Sequence, residues 1–292
     1  MMTLHALPAE GARLYEAQYL GMRWLVERGF RPVLLPLVYP VNGEEDGGFR
    51  FLDGEGRVWG VRADFTPLIG RAVSGELAEG RTLRVCYAGE VARREAARLR
   101  GVREFMQLGF ESFNVENEAA ATVELLLGLL KEVGLPLEGL ALTVSHTGLG
   151  EEILGLLTEE APDPELLEML AAKDADGVTS LLGLRGEAAF YLRQAVFDEG
   201  SNWVRFFGQE QAWQRLQAAA APARAQGVAV RFELVPRSSA HYYRGVVFSL
   251  WGSRGKGLLA SGGEYRAQGK LGLVPAVGAT VALDQVLAEG AW

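Results

Sequence analysis

Apolar positions recur along this chain with two different periods, and the changes between them divide it into regions. Over residues 10 to 28 the spacing is helical, in two stripes: Leu14, Ala17, Gly21, Trp24 and Leu25 form one, Tyr15, Tyr19, Met22 and Val26 the other. A helix apolar on two sides buries both, either inside the monomer or against a partner. Gly29 supplies its stop, and residues 30 to 39, rich in Val and Leu with two prolines, follow as an extended segment. Residues 57 to 64 read as a strand with Val58, Gly60, Arg62 and Asp64 on one face. Thr66 then stands where a helix N-cap belongs, with Pro67 at the first helical position.

Strict alternation follows. Leu83, Val85 and Tyr87 oppose Arg84, Cys86 and Ala88, and in the run Arg103 to Glu111 the residues Met106, Leu108 and Phe110 oppose Gln107, Gly109 and Glu111. The second strand sets an amide and a carboxylate on one surface with a gap between them. That pattern fits a small-molecule site, and equally an edge strand with a solvated polar face. Glu118 to Val133 is a strongly apolar helix ended by Gly134, and Leu140 to Ser145 is a strand. Residues 151 to 221, dense in Leu, Ala and Glu, read as a helical insertion with turns at Thr158 to Glu165 and Asp174 to Gly177. Short β-rich runs return at 228–234, 242–251, 257–260 and 276–283. The glycine-rich loop Gly252 to Gly257 has the composition of a phosphate cradle, and also that of an ordinary hairpin turn.

Composition narrows the classes. With 292 residues, 49% of them hydrophobic, the chain can fill a large core, and neither an internal repeat nor a low-complexity tract interrupts it. A net charge of -8 has the wrong sign for a protein whose main ligand is nucleic acid. The single cysteine, Cys86, cannot form an internal disulfide and reads as a strand residue in a reducing compartment. No run of about 18 apolar residues and no secretory signal is visible, so the expectation is a cytoplasmic protein without membrane contact.

Several segments resemble class II aminoacyl-tRNA synthetases, specifically the histidyl enzyme. Arg93 and Glu95, then Arg103, Phe105, Gln107, Leu108, Gly109 and Glu111, are similar to its motif 2; Arg62 to Pro67 to its substrate-holding R-x-[DE]-x-T segment. Tyr242, Tyr243, Gly245 and Phe248 resemble the histidine-specific Y-Y-x-G-x-x-F element. Ser261 to Tyr265 resembles the G-G-R-Y segment, with Glu264 in place of its arginine, and Pro275 to Gly278 resembles the start of motif 3. The first helix and the extended segment after it resemble motif 1, which implies a homodimer. The implied fold is α+β, an antiparallel sheet flanked by helices, spanning residues 1–292 with the insertion at about 151–221.

The resemblance also implies a histidine pocket. Asp64, Thr66 and Gln107 would hold the ammonium end, Glu111 and Tyr242 the imidazole nitrogens, and Tyr243 and Tyr265 would complete the walls, with Arg93 from motif 2 beside them. Adenylation equipment is depleted: the motif 3 arginine is Gln285, the histidyl-specific arginine aligns with Ser238 beside Arg237, and His241 replaces the aspartate before the tyrosine pair. The chain stops at Trp292, where an anticodon-binding domain would be expected to follow. Together these features resemble the regulatory subunits of short-form ATP phosphoribosyltransferase, which join a separate catalytic subunit and convey inhibition by L-histidine. No catalytic residue, cofactor or metal is expected. A truncated histidine-adenylating enzyme, or a free-standing histidine sensor, is the alternative.

Overall fold

The computed structural model describes residues 8–41, 48–94, 103–158, 163–236, 242–253, 257–269 and 272–290. Helix α1 (Pro8–Glu27) ends where Gly29 takes a positive φ of 84° and Phe30 N–H returns to the carbonyl of Leu25. The extended segment after it contributes two short strands, β1 (Arg31–Pro32) and β2 (Val38–Pro40). With β3 (Arg50–Leu52) and β4 (Val58–Val61), β2 forms a small antiparallel sheet in the order β2-β4-β3.

The predicted strand over 57–64 therefore ends at Val61, because Arg62 turns its side chain into the protein. Its guanidinium, 5% exposed, donates to the carbonyls of Leu35 (2.8 Å), Pro36 (3.2 Å) and Glu90 (2.8 and 3.1 Å) and lies over the Phe65 ring. Thr66 is also not the cap of helix α2 (Thr66–Val73). Phe65 occupies that position without a side-chain cap bond, and the Thr66 hydroxyl points elsewhere.

The main sheet has eight strands in the order β1-β5-β6-β11-β10-β9-β7-β8, formed with β5 (Leu83–Ala92), β6 (Glu104–Phe113), β7 (Ala141–His146), β8 (Ala229–Glu233), β9 (Tyr243–Trp251), β10 (Leu258–Gly269) and β11 (Gly272–Ala282). Its interior is antiparallel, as expected, while the outermost pairs β1·β5 and β7·β8 are parallel. The runs expected at 257–260 and 276–283 are longer than the pattern suggested, since glycines interrupt the apolar alternation of β10 and β11 without interrupting their pairing. Strand β6 lies between β5 and β11, so it is no edge strand.

Each face of this sheet carries a core. Against one pack α1, α3 (Ala119–Glu132), α9 (Glu210–Ala225) and α10 (Leu283–Glu289), burying Leu108 and Phe110 with Cys86 and the leucines of α3. Burial pushes the Cys86 thiol up to about 11, which suits a core residue and not a nucleophile. Against the other face packs α2, over Val85, Tyr87, Phe105, Tyr243 and Tyr265. Between β7 and β8 the chain runs through α4 (Leu149–Thr158), α5 (Pro164–Ala171), α6 (Ala175–Leu181), α7 (Glu187–Phe197), α8 (Asn202–Phe206) and α9. The turn expected at Asp174 to Gly177 is the start of α6, whose N-cap carboxylate accepts from Gly177 N–H.

The buried Arg62 fork is a folding device, since only a planar donor set reaches all three carbonyls. Replacing Arg62 with methionine leaves them unpaired and should cost roughly 3 kcal/mol, read as a lowered urea midpoint with an unchanged slope.

Candidate functional site

The site is assembled on the α2 side of β6. Period-two alternation turns Phe105, Gln107, Gly109 and Glu111 to this face, and the neighbouring strands set what each one meets. Glu111, 2% exposed, pairs in register with Val85 of β5 and Gly278 of β11. A β-carbon at Gly278 would stand 1.7 Å from Glu111 Oε2, so the glycine is what admits the carboxyl group into the sheet. Two residues along, Gly109 makes the same allowance for the Tyr87 ring, whose hydroxyl would lie 2.4 Å from a β-carbon there.

Three hydroxyl groups from three elements converge on that carboxyl. Glu111 Oε1 accepts from Thr66 Oγ1 at 2.7 Å and from Tyr87 Oη at 3.3 Å, and Oε2 accepts from Tyr265 Oη at 3.0 Å. Asp64 stands alongside. Its Oδ2 accepts from Tyr242 Oη at 3.1 Å and its Oδ1 from the backbone N–H of Thr66 at 3.3 Å. Tyr242 packs on Tyr243 and, edge to face, on Tyr265, while Phe65 stacks on Tyr87 with ring centroids 4.3 Å apart. The result is a box of aromatic walls around two carboxyl groups.

Burial dominates the electrostatics. Desolvation, with a smaller contribution from the charge of Asp64, raises the Glu111 carboxyl to about 8, against the partial opposition of its three hydroxyl donors. The tyrosines are driven the same way: desolvation first, then the nearby carboxylates, holds Tyr87, Tyr242 and Tyr265 well above the ordinary phenol value.

A cavity adjoins this box further back along β6, lined by Arg93, Phe105, Gln107, Leu258, Leu259, Ala260, Ser261, Thr280 and Ala282. Gln107 is 1% exposed, yet neither its amide oxygen nor its nitrogen has a hydrogen-bond partner among the described residues. A buried amide left unpaired costs about 1 to 3 kcal/mol, which marks it as a group that a ligand or water completes. Among the described residues Arg93 is the one cation of the lining; its Nε donates to the Ala63 carbonyl at 2.9 Å and its guanidinium approaches the Phe105 ring.

The expected site residues thus form two adjoining groups. Asp64, Thr66, Glu111, Tyr242, Tyr243 and Tyr265 meet in the box, and Gln107 and Arg93 meet in the cavity. Thr66 is bonded to Glu111 and so is not grouped with Gln107. Tyr242 is bonded to Asp64, and the second hydroxyl near Glu111 belongs to Tyr87, which alternation alone places among apolar strand residues. The signal that points to Tyr87 is its register partner Gly109, a glycine at mid-strand beneath an aromatic residue. Glu95, Arg237, Ser238, His241 and residues 254–256 of the Gly252 to Gly257 loop lie outside the described residues.

The departures from the synthetase pattern have their own environments. Gln285, on α10, is 9% exposed. Glu264, which replaces the arginine of the G-G-R-Y segment, sits at an irregularity in the β9·β10 pairing and faces away from the box. Its Oε2 accepts from Arg215 of α9 at 2.5 Å and from Val246 N–H at 2.8 Å, and Arg215 also lies 3.4 Å from His146 Nε2. Burial and the adjacent guanidinium lower the His146 pKa, keeping the ring neutral.

A mostly antiparallel sheet with a motif 2 strand and a motif 3 strand-to-helix junction is the class II synthetase fold. The histidyl-tRNA synthetase family model matches residues 5–286, and the chain belongs to that family. An ATP phosphoribosyltransferase regulatory subunit of Azoarcus sp. (strain BH72) is 28% identical over 295 residues, covering 91% of this chain and 74% of the relative. Two solved structures share the fold. One, of an ATP phosphoribosyltransferase regulatory subunit/histidyl-tRNA synthetase from Bacillus halodurans C, superposes with a TM-score of 0.79 at 21% identity, over 97% of this chain and 80% of the other. The other, from the ATP phosphoribosyl transferase (HisG:HisZ) complex of Thermotoga maritima, gives a TM-score of 0.70 at 20% identity over 92% and 97%.

The raised Glu111 carboxyl makes a prediction about stability. Its folded pKa of about 8 lies above the ordinary 4.5, so its contribution is fully present below pH 4.5 and is lost as pH rises to about 8. Unfolding of the chain by denaturant should therefore show falling stability across that window, and Glu111→Gln should flatten the fall. An equal slope in the variant would assign the pH dependence to other groups.

Proposed function

We propose that the chain is a regulatory subunit of ATP phosphoribosyltransferase: it binds free L-histidine in the box and cavity, performs no phosphoribosyl transfer, and acts on a separate catalytic subunit. The observation that carries this is an intact box beside a cavity whose lining, among the described residues, offers one cation, Arg93, with Gln285 where the resemblance to the synthetases would place an arginine. Activating ATP needs fixed positive charge against its phosphates, whereas binding an amino acid does not. The similarity to proteins named as regulatory subunits supports the same reading.

In this reading Glu111, Tyr242, Tyr243 and Tyr265 receive the ring, Asp64 and Gln107 the ammonium group, and Arg93 the carboxylate, while Thr66 holds Glu111 in place. Regulation then requires that histidine favour the inhibited state of the assembly, because equal affinity for two states shifts nothing. A homodimer through α1 completes the proposal. Its first apolar stripe is the buried one, with Ala17 and Leu25 in the core, while Tyr15 (73%), Tyr19 (63%) and Val26 (45%) of the second stay exposed on the monomer. A cytoplasmic setting fits the buried free thiol, and among the described residues no helix is long and apolar enough to cross a membrane.

Calorimetry should show L-histidine binding, weakened about tenfold to a hundredfold by Glu111→Ala, which corresponds to roughly 1.5 to 3 kcal/mol. Co-expression with a short catalytic chain should give a complex that gains phosphoribosyltransferase activity and loses it on adding histidine. Robust histidine-dependent exchange of pyrophosphate into ATP would instead establish an adenylating enzyme, and histidine binding with no such complex a free-standing sensor. Sedimentation should give a dimer at micromolar concentration that Tyr19→Glu converts to monomer.

A further inference from the structure

We infer that the box selects its ligand by proton affinity: the carboxyl of Glu111 hands its proton to the basic ring of the ligand, and the two are held as a carboxylate and a cation. The inference rests on the histidine-binding reading and specifies its chemistry. Its basis is the set of groups around Glu111. From the segment before α2 comes Asp64, from the start of α2 Thr66, from β5 Tyr87, from β9 and the residue before it Tyr243 and Tyr242, and from β10 Tyr265. The register partner on β11 is Gly278, which brings no side chain. Every one of these neighbours is an anion, a hydroxyl or a hydrocarbon. Two described cations stand beyond this shell: Arg93 is fixed on the Ala63 carbonyl in the adjoining cavity, and Arg62, over the Phe65 ring, is spent on the carbonyls of Leu35, Pro36 and Glu90.

Two carboxyl groups enclosed together, with no cation among the described groups that line them, cannot both ionise cheaply. Asp64 borders the cluster at an intermediate exposure, while Glu111 is buried, so the proton resides on Glu111. The position of that proton follows from acceptor capacity. Each carboxyl oxygen offers two lone pairs; Oε1 uses both, for Thr66 and Tyr87, and Oε2 uses one, for Tyr265. Oε2 is the oxygen left to carry the proton and to meet a ligand. A neutral imidazole nitrogen takes that proton, the O–H bond breaks as the N–H bond forms, and the surrounding hydroxyls already point at the carboxylate left behind. A ring of the same shape without basicity gains nothing from this arrangement.

The pH profile follows by linkage, with an ordinary imidazole near 6.5 and Glu111 at about 8. Between these values the protonated carboxyl meets the neutral ring, and binding exchanges no proton with solvent. Above about 8 the complex must take a proton up, and below about 6.5 it must release one, so affinity falls on both sides, approaching tenfold per pH unit.

Calorimetric titration of the full chain from pH 5.5 to 9 tests this, using L-histidine and its non-basic isostere 1,2,4-triazole-3-alanine. The expected result is a plateau between the two limits, a triazole affinity at least tenfold lower, and an upper limb starting near pH 8 that Glu111→Gln removes. Tyr265→Phe, which deletes a donor to the carboxylate, should move that limb to higher pH and serves if the glutamine variant does not fold. Equal affinity for both ligands, or an upper limb unchanged in these variants, would overturn the proton exchange while leaving histidine binding in place. Failure of the folded chain to bind histidine at any pH would overturn both.

Discussion

A carboxyl group that cannot reach water governs the middle of this molecule. Glu111 lies on an interior strand with neighbours on both sides and α2 above, and taking an ionised carboxylate into such a place costs several kcal/mol unless hydrogen bonds or a proton offset it. The structure answers with three hydroxyl donors, and burial raises the pKa of the group so that the protonated form is favoured. Thr66 brings α2 down onto the sheet, Tyr87 and Tyr265 lean in from strands on either side of β6, and β11 yields its side chain altogether at Gly278. The placement of α2 and the inward tilt of the tyrosines are consequences of that one buried group as much as of the apolar core beneath them.

How much of this was legible in the sequence depended on the kind of interaction. Alternation identified both faces of β5 and β6 correctly, because an interior strand facing two cores must obey period two throughout. The double stripe of α1 was legible for a related reason, though only the structure shows which stripe the monomer buries. The histidyl resemblance named Asp64, Glu111 and the tyrosine pair, which the fold brings together. Pairings of hydroxyl to carboxyl were not legible: Thr66 followed by Pro67 has every mark of a helix start, yet its hydroxyl answers a carboxyl 45 residues away. Arg62 and Asp64 read as strand neighbours for the same reason, since nothing local announces that a side chain turns inward to cap distant carbonyls. Non-local polar demand is what a linear pattern hides.

The two halves of the site differ in what they leave undone. In the box each of the four carboxyl oxygens accepts from at least one internal donor, so this half is rigid and preorganised. In the cavity the Gln107 amide is buried and unmatched. A ligand spanning both would meet a fixed shape at one end and complete unsatisfied hydrogen bonds at the other. Such a division gives specificity to the first contact and affinity to the second.

The pairing of Glu264 with Arg215 couples two distant elements. The carboxylate stands where histidyl enzymes carry an arginine, and its partner comes from a helix on the opposite side of the sheet from the box. Restoring an arginine at 264 alone would press two guanidinium groups together in a half-enclosed space and strand the Val246 N–H that the carboxylate now satisfies. An arginine at 264 thus needs a second change on α9 to be accommodated. The charge at either position fixes the charge that the other can carry, so two elements far apart in the chain and on different sides of the sheet can vary only together.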